Sequence, residues 1–161
     1  MVKSFAVIGV GNPFRGDDGI GVFLIQKLIK DKLFSNESID LIEGGIGGMN
    51  LFHLIGSYKT VILIDAVDFN ASPGECIFFS SDDIGSSNKI PSTVSTHGED
   101  VFSVLKTVKK YTDNPPRIFI FGIQPKKIAM SEGFSEKIQQ NIPVYLRKIS
   151  KQIREKLREL D

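Results

Sequence analysis

The most constraining feature of this sequence is a pair of short segments that are apolar at nearly every position, VILIDAV at 61–67 and IFIFGI at 118–123. A strand with one face in water alternates apolar and polar side chains, whereas a strand covered on both faces is apolar throughout. The two segments therefore predict central strands of a mostly parallel sheet, with helices covering both of its faces.

Similar apolar segments mark the rest of the predicted sheet. The expected strands are Ser4 to Val10, Ser38 to Ile42, Thr60 to Val67, Glu75 to Phe79 and Arg117 to Gly122. The link from Asp68 to Gly74 is too short for a crossover helix, so we expect the fourth strand to run antiparallel to the third, as a hairpin. The predicted fold is α/β, a doubly wound, mostly parallel five-stranded sheet with one antiparallel edge strand and helices on both faces.

Apolar residues at helical spacing predict the covering helices. These are expected at Ile20 to Asp31, Asn50 to Ser57, Gly98 to Tyr111 and Phe134 to Leu160. Pro143 should either kink the last helix or open a second one, because proline cannot donate the backbone hydrogen bond of a helix interior.

Composition narrows the possible partners. A chain of 161 residues fits a single domain, 1–161. Twenty Lys and Arg against nineteen Asp and Glu give a net charge of +1, so nucleic acid is not an expected partner. The single cysteine, Cys76, excludes an internal disulfide and a multi-thiolate zinc site, and it lies in a predicted strand, where burial is expected. The first apolar segment is too short for a signal peptide or a membrane span, so we expect a cytoplasmic protein.

The first loop, GVGNPFRGDDG at Gly9 to Gly19, resembles a dinucleotide-binding turn but lacks its chemistry. The third glycine of that motif would fall at Phe14, and two carboxylates stand where an anion would bind. Asp17 and Asp18 instead offer oxygen ligands for a cation. The alternative is that both only cap the helix that follows.

Asp65 interrupts the apolar segment VILIDAV near its carboxyl end. A buried carboxylate needs compensation, so Asp65 is either a hydrogen-bonded structural residue or a ligand or catalytic acid. Asp68, at the following turn, is expected to cap that turn. His97 precedes a predicted helix and is either a cap or surface residue or a metal ligand, whereas His53 is expected to be structural.

Asp18, Asp65 and His97 follow strand ends or open helices, and open α/β sheets gather their ligands at this edge. Two carboxylates and an imidazole form a mixed site for nickel, zinc or a similar divalent ion, with coordination positions left open. Nucleophile schemes fit less well, since the sequence holds no G-x-S-x-G or H-E-x-x-H motif. Thr96 stays open as a weaker candidate nucleophile.

Five motifs in order give the sequence a specific resemblance to the hydrogenase maturation proteases. They are GVGNPFRGDDGIG at 9–21, IEGGIGG at 42–48, LIDAVDFNASPGE at 63–75, STHG at 95–98 and FGIQP at 121–125. The resemblance implies a nickel-binding trio of Asp18, Asp65 and His97, which also carries the catalytic function. It implies an endopeptidase whose partner is the large-subunit precursor of a nickel-iron hydrogenase, from which the C-terminal extension is removed.

The resemblance further implies that the nickel belongs to the active site of the substrate, so that the isolated protein binds it weakly. Either a metal-polarised carbonyl or water, or an Asp acting as general base, could perform the hydrolysis. The competing interpretation is a non-enzymatic nickel-binding or small-ligand-binding module on the same scaffold. A metallochaperone usually has more thiolates or histidines than this chain provides.

Overall fold

The computed structural model describes residues 2–84, 95–96, 101–126 and 128–161. The two apolar segments lie inside a sheet with strand order β2-β1-β3-β6-β4. The strands are β1 Lys3–Val10, β2 Asp40–Gly45, β3 Tyr58–Asp68, β4 Cys76–Ser80 and β6 Arg117–Ile123, with β5, Ser95–Thr96, paired to the end of β3. β2, β1, β3 and β6 run parallel, and β4 is the antiparallel edge. The predicted fold class and its five strands are confirmed.

The prediction of a hairpin between the third and fourth strands is wrong. β4 does run antiparallel to β3, but its hydrogen-bonded neighbour is β6, which is inserted between them. The link crosses the end of β6, where the amides of Gly74 and Gln124 donate to the carbonyls of Gln124 and Glu75 at 2.8 Å each. After Arg117, the segment of β6 is apolar at every position but Gly122, whereas β4 ends in Ser80, so the inner position removes more apolar surface from water when β6 occupies it.

Helices cover both faces of the sheet, as predicted. They are α1 Ile20–Lys30, α2 Met49–Gly56, α3 Val101–Tyr111 and α4 Glu136–Arg158. Successive side chains of a strand point to opposite faces. In β3, Val61 and Leu63 pack with α2 and α3, while Ile62 and Ile64 pack with α1 and α4. The predicted start of the third helix at Gly98 lies outside the described residues.

Helix α4 continues through Pro143, so no second helix begins there. Both Pro143 and Gln139, whose carbonyl loses its helical partner, are on the exposed side of the helix. Water can therefore satisfy that carbonyl, and the buried stripe of Ile142, Tyr145 and Ile149 continues past the proline. Within the described residues, no helix is both long enough and apolar enough to cross a membrane.

Candidate active site

Asp65 is buried at the carboxyl end of β3, beside Gly122 of β6. Burial raises the pKa of its carboxyl well above the usual value, and the negative charge of Asp18 raises it further. A hydrogen bond with the backbone of Ala66 acts in the opposite direction but is the smallest of the three causes. Asp18 is therefore close enough to Asp65 for their negative charges to repel each other.

Asp18 is buried in a 3₁₀ turn, Gly16–Gly19, that joins β1 to α1. Its Oδ2 accepts a hydrogen bond from the amide of Asn12 at 2.9 Å. This turn can lie close to β3 only because of glycines. A Cβ on Gly21 would be 2.1 Å from the carbonyl oxygen of Ile64, and one on Gly11, whose φ is +137°, would be 1.9 Å from that of Asp18. The glycines of the first motif thus serve to bring one carboxylate beside another.

Asp17, the direct neighbour of Asp18, has a different environment. Its Oδ1 accepts from the amide of Ser135 at 2.7 Å, and its Oδ2 accepts from the Ser135 hydroxyl at 2.8 Å and from the amide of Lys126 at 2.9 Å. Ser135 is the N-cap of α4. The alternative that the two aspartates cap the helix that follows is wrong for Asp17, because α1 has no side-chain cap and Asp17 binds Ser135 instead, 118 residues along the chain.

Gln124 is a polar residue at this edge that sequence reasoning did not assign. It is buried directly after β6. Its Oε1 accepts from the amides of Phe69 and Ala71 at 2.9 and 3.2 Å, and its Nε2 donates to Asp68 at 3.2 Å. The sequence does signal Gln124, because it is a polar residue directly after the apolar segment IFIFGI. Asp65 is signalled in a similar way, since it interrupts VILIDAV. Asp68 also accepts from the amide of Asn70 at 3.1 Å, which confirms its predicted role at the turn.

His97, the third predicted ligand, lies outside the described residues. The backbone just before it is described, because Thr96 and Ser95 pair with Val67 and Asp68 at the end of β3. Among the described residues, no group of three or more His, Cys, Asp and Glu could hold a metal ion. The full trio therefore stays a prediction, of which the structure brings two members together.

Two other side chains that could in principle bind a metal or act as a nucleophile, His53 and Cys76, are poorly suited to this site. His53 is exposed on α2, and its ring contacts that of Phe52 edge-on. Cys76 is half-buried at the start of β4, not fully buried as expected, because an edge strand is covered less than a central one. Burial raises the pKa of its thiol, which disfavours the nucleophilic thiolate.

Comparison with known proteins agrees with the fold and the motifs. A family model described as hydrogenase maturation protease matches residues 22–152. A putative hydrogenase maturation protease of Methanocaldococcus jannaschii is 29% identical over 78% of this chain and 75% of its own length. The hydrogenase 2 maturation protease of Escherichia coli K12 is 24% identical over 92% of this chain and 90% of its own length. The hydrogenase expression/formation protein HupD of Rhodobacter capsulatus is 26% identical over 76% of this chain. The match covers only 57% of the length of HupD.

Solved structures show the same architecture. The hydrogenase maturating endopeptidase HybD of Escherichia coli superimposes with a TM-score of 0.73 at 21% identity, over 95% of this chain and 93% of that protein. The [NiFe] hydrogenase maturation protease HycI of Thermococcus kodakarensis KOD1 gives a TM-score of 0.69 at 25% identity, over 92% and 91% of the two chains. The sheet order and the covering helices are thus those of a known fold.

Proposed function

Because the chain belongs to the hydrogenase maturation protease family, we propose that it is an endopeptidase that removes the C-terminal extension of a hydrogenase large-subunit precursor. The observation that carries this proposal is the buried pair of Asp18 and Asp65 at the carboxyl edge of the sheet. Two carboxylates that repel each other in a buried site weaken the fold, so a functional reason for keeping them is needed. The family supplies the reaction, and the pair supplies groups that can perform it.

We also propose that Asp18, Asp65 and His97 hold a nickel ion that the precursor already carries. The two carboxylates fit a divalent cation, because its charge offsets the repulsion between them. Nickel would supply Lewis-acid polarisation of an oxygen at the scissile peptide. Three ligands from this chain leave coordination positions for the thiolates of the substrate, so the isolated protein should bind nickel weakly.

The alternative to this metal-assisted route is general-base catalysis, in which an Asp65 that holds no nickel accepts a proton. A general base works best when its pKa is near the working pH, and both burial and Asp18 move the pKa of Asp65 in that direction. Asp18 is held in place by the amide of Asn12, and the glycine contacts of its turn fix its distance from β3. The turn that follows β3 is held by Gln124, so this side of the site is ordered before substrate arrives.

The experiment that tests the proposal compares precursor purified from nickel-replete and nickel-starved cells. We expect the wild-type protein to shorten only the nickel-loaded precursor, as seen in the mass of the large subunit. A free peptide with the sequence of the tail should not be cut, because it lacks the nickel that aligns the scissile bond, and misplacement on the order of 1 Å costs about a hundredfold in rate.

Three outcomes separate the parts of the proposal. Equal cleavage of both precursors would remove the nickel requirement but keep the endopeptidase. No cleavage of either would remove the activity. Nickel binding to the protein alone that is sub-nanomolar and survives dialysis, measured by calorimetry, would favour a nickel carrier over a protease.

A further inference from the structure

Large apolar side chains are exposed on the loops that surround the aspartate pair. Phe14 is 71% exposed and Met130 is 80% exposed, and Ile46 and Met49 are each more than half exposed. Phe14 follows β1, Ile46 and Met49 follow β2, and Met130 follows β6. All four therefore lie beyond the carboxyl ends of parallel strands, at the same edge as Asp18. We call these four residues the apolar rim.

Backbone hydrogen bonds tie together the three segments that carry the apolar rim. The amide of Gly11 donates to the carbonyl of Gly45 at 2.8 Å, which joins the first loop to the segment of Ile46. The first loop is also joined to the segment of Met130. The amide of Ser131 donates to the carbonyl of Phe14 at 3.3 Å, and the amide of Gly16 donates to the carbonyl of Ser131 at 3.2 Å. The exposed side chains are thus presented by connected backbone that also contains Asp18.

Asp17 also holds the backbone on either side of Met130 by hydrogen bonds. Its carboxylate binds the amides of Lys126 and Ser135, at the two ends of the segment that bears Met130. The role of this buried carboxylate is therefore to fix part of the rim, next to the carboxylate that faces Asp65. Met130 is the most exposed of the large apolar residues described, so its side chain does not pack in the core. Hydration of an exposed apolar side chain is unfavourable, so its exposure needs another explanation.

We propose that the apolar rim docks the folded body of the large-subunit precursor, beside the point where its C-terminal extension leaves it. This inference rests on the proposed function, because it identifies the occupant by continuity with the cleavage site. Single exposed apolar residues are normal, but these four lie on hydrogen-bonded loops at one edge of the sheet, an arrangement typical of a protein interface. Methionine suits such a surface, since its flexible thioether adapts to a partner. Recognition then depends on the body of the precursor as well as on its tail.

The test uses two double variants of the full-length protein. Phe14→Ser/Met130→Ser removes the two most exposed members of the rim. Ile29→Ser/Leu33→Ser is the matched control, because these residues are 43% and 48% exposed and lie where α1 ends, at the opposite edge of the sheet. Melting temperatures of both variants should stay close to that of the wild type, since neither change touches the core.

Three quantities are measured with nickel-loaded precursor. KM and kcat come from steady-state cleavage, and the dissociation constant comes from surface plasmon resonance. We expect the rim variant to raise KM and the dissociation constant about tenfold or more, with kcat within about twofold of wild type. The control variant should match the wild type in all three. An unchanged KM in the rim variant, or an equal rise in the control, would overturn the proposal.

The binding measurement keeps this inference distinct from the proposed activity. If the wild-type protein binds the precursor without cutting it, the proposed protease activity fails, and loss of binding in the rim variant alone still supports the docking surface. If the wild-type protein does not bind the precursor, or if both variants bind it as the wild type does, the docking surface is refuted.

Discussion

Two carboxylates at opposite edges of the sheet show how differently this fold treats acidic residues. Asp40, at the start of β2, accepts hydrogen bonds from Lys3 at 2.8 Å and from the Tyr58 hydroxyl at 2.7 Å, and these partners lower its pKa. Asp65, at the end of β3, is buried beside a second acid, and its pKa is raised. The amino edge satisfies its carboxylate, whereas the carboxyl edge holds one in an environment that opposes its charge. The difference supports the proposed site at the carboxyl edge, because of these two carboxylates only Asp65 is held without full compensation of its charge.

The neighbouring pair Asp17 and Asp18 repeats this contrast within one turn. Asp17 accepts three hydrogen bonds from the segment that leads into α4, while Asp18 is placed beside Asp65. Replacing each acid in turn should therefore separate loss of stability from loss of activity.

We expect Asp17→Ala to destabilise the protein by about 2 kcal/mol, because it removes the acceptor of three part-buried hydrogen bonds. Urea unfolding followed by circular dichroism measures this free energy. Asp17→Asn should recover part of the loss, since its single carbonyl oxygen can still accept. A loss below about 0.5 kcal/mol for Asp17→Ala would show that the carboxylate does not anchor α4.

Asp65→Asn should stabilise the protein, in contrast to Asp17→Ala. Removing a buried charge beside Asp18 is expected to raise the melting temperature of the metal-free protein by about 2–4 °C at neutral pH. The folded-state pKa of Asp65 is above its unfolded value, so the stability that Asp65 contributes is present below the unfolded pKa, near 3.8, and is lost as pH rises through the folded pKa.

The stability difference between Asp65→Asn and the wild type should therefore grow as pH rises from about 4. Melting curves of both proteins in chelator at several pH values test this. A difference that shrinks with rising pH, or a variant less stable than the wild type at neutral pH, would mean that Asp65 is stabilised as a carboxylate.

Asp40→Asn should produce the smallest change, a fall in melting temperature of less than about 2 °C, because its ion pair with Lys3 is largely exposed. The lowered pKa means that this stabilisation is present above the unfolded pKa of Asp40 and is lost as pH falls through the folded pKa. High salt should reduce the effect further. Salt-insensitive destabilisation would indicate that Tyr58, and not the ion pair, dominates.

Local patterns predicted most of the fold. The apolar segments at 61–67 and 118–123 are strands covered on both faces, and the ends of each predicted strand lie within three residues of those observed. The insertion of β6 between β3 and β4 could not be predicted from a short connection, since that choice depends on which strand buries more surface. The role of Asp17 was equally inaccessible, because its partners are more than 100 residues away.

The site was predictable where a polar residue interrupts an apolar pattern. Asp65 stands out in VILIDAV for this reason, and Gln124 ends IFIFGI in the same way. Apart from the family resemblance, which favours Asp18, the local pattern does not distinguish Asp17 from Asp18, since both are acids in one turn. Their hydrogen-bond partners distinguish them in the structure, because Asp17 binds the backbone of Lys126 and Ser135, whereas Asp18 binds the amide of Asn12.

The most direct test of the functional assignment is the cleavage of nickel-loaded precursor by Asp65→Asn, with Asp68→Asn as the matched control. Both residues lie in the last four positions of β3, but Asp68 serves the turn through one oxygen that asparagine retains. We predict that Asp65→Asn slows cleavage by about a hundredfold or more while remaining folded, and that Asp68→Asn cleaves at the wild-type rate. Normal processing by Asp65→Asn would contradict the assignment of this site.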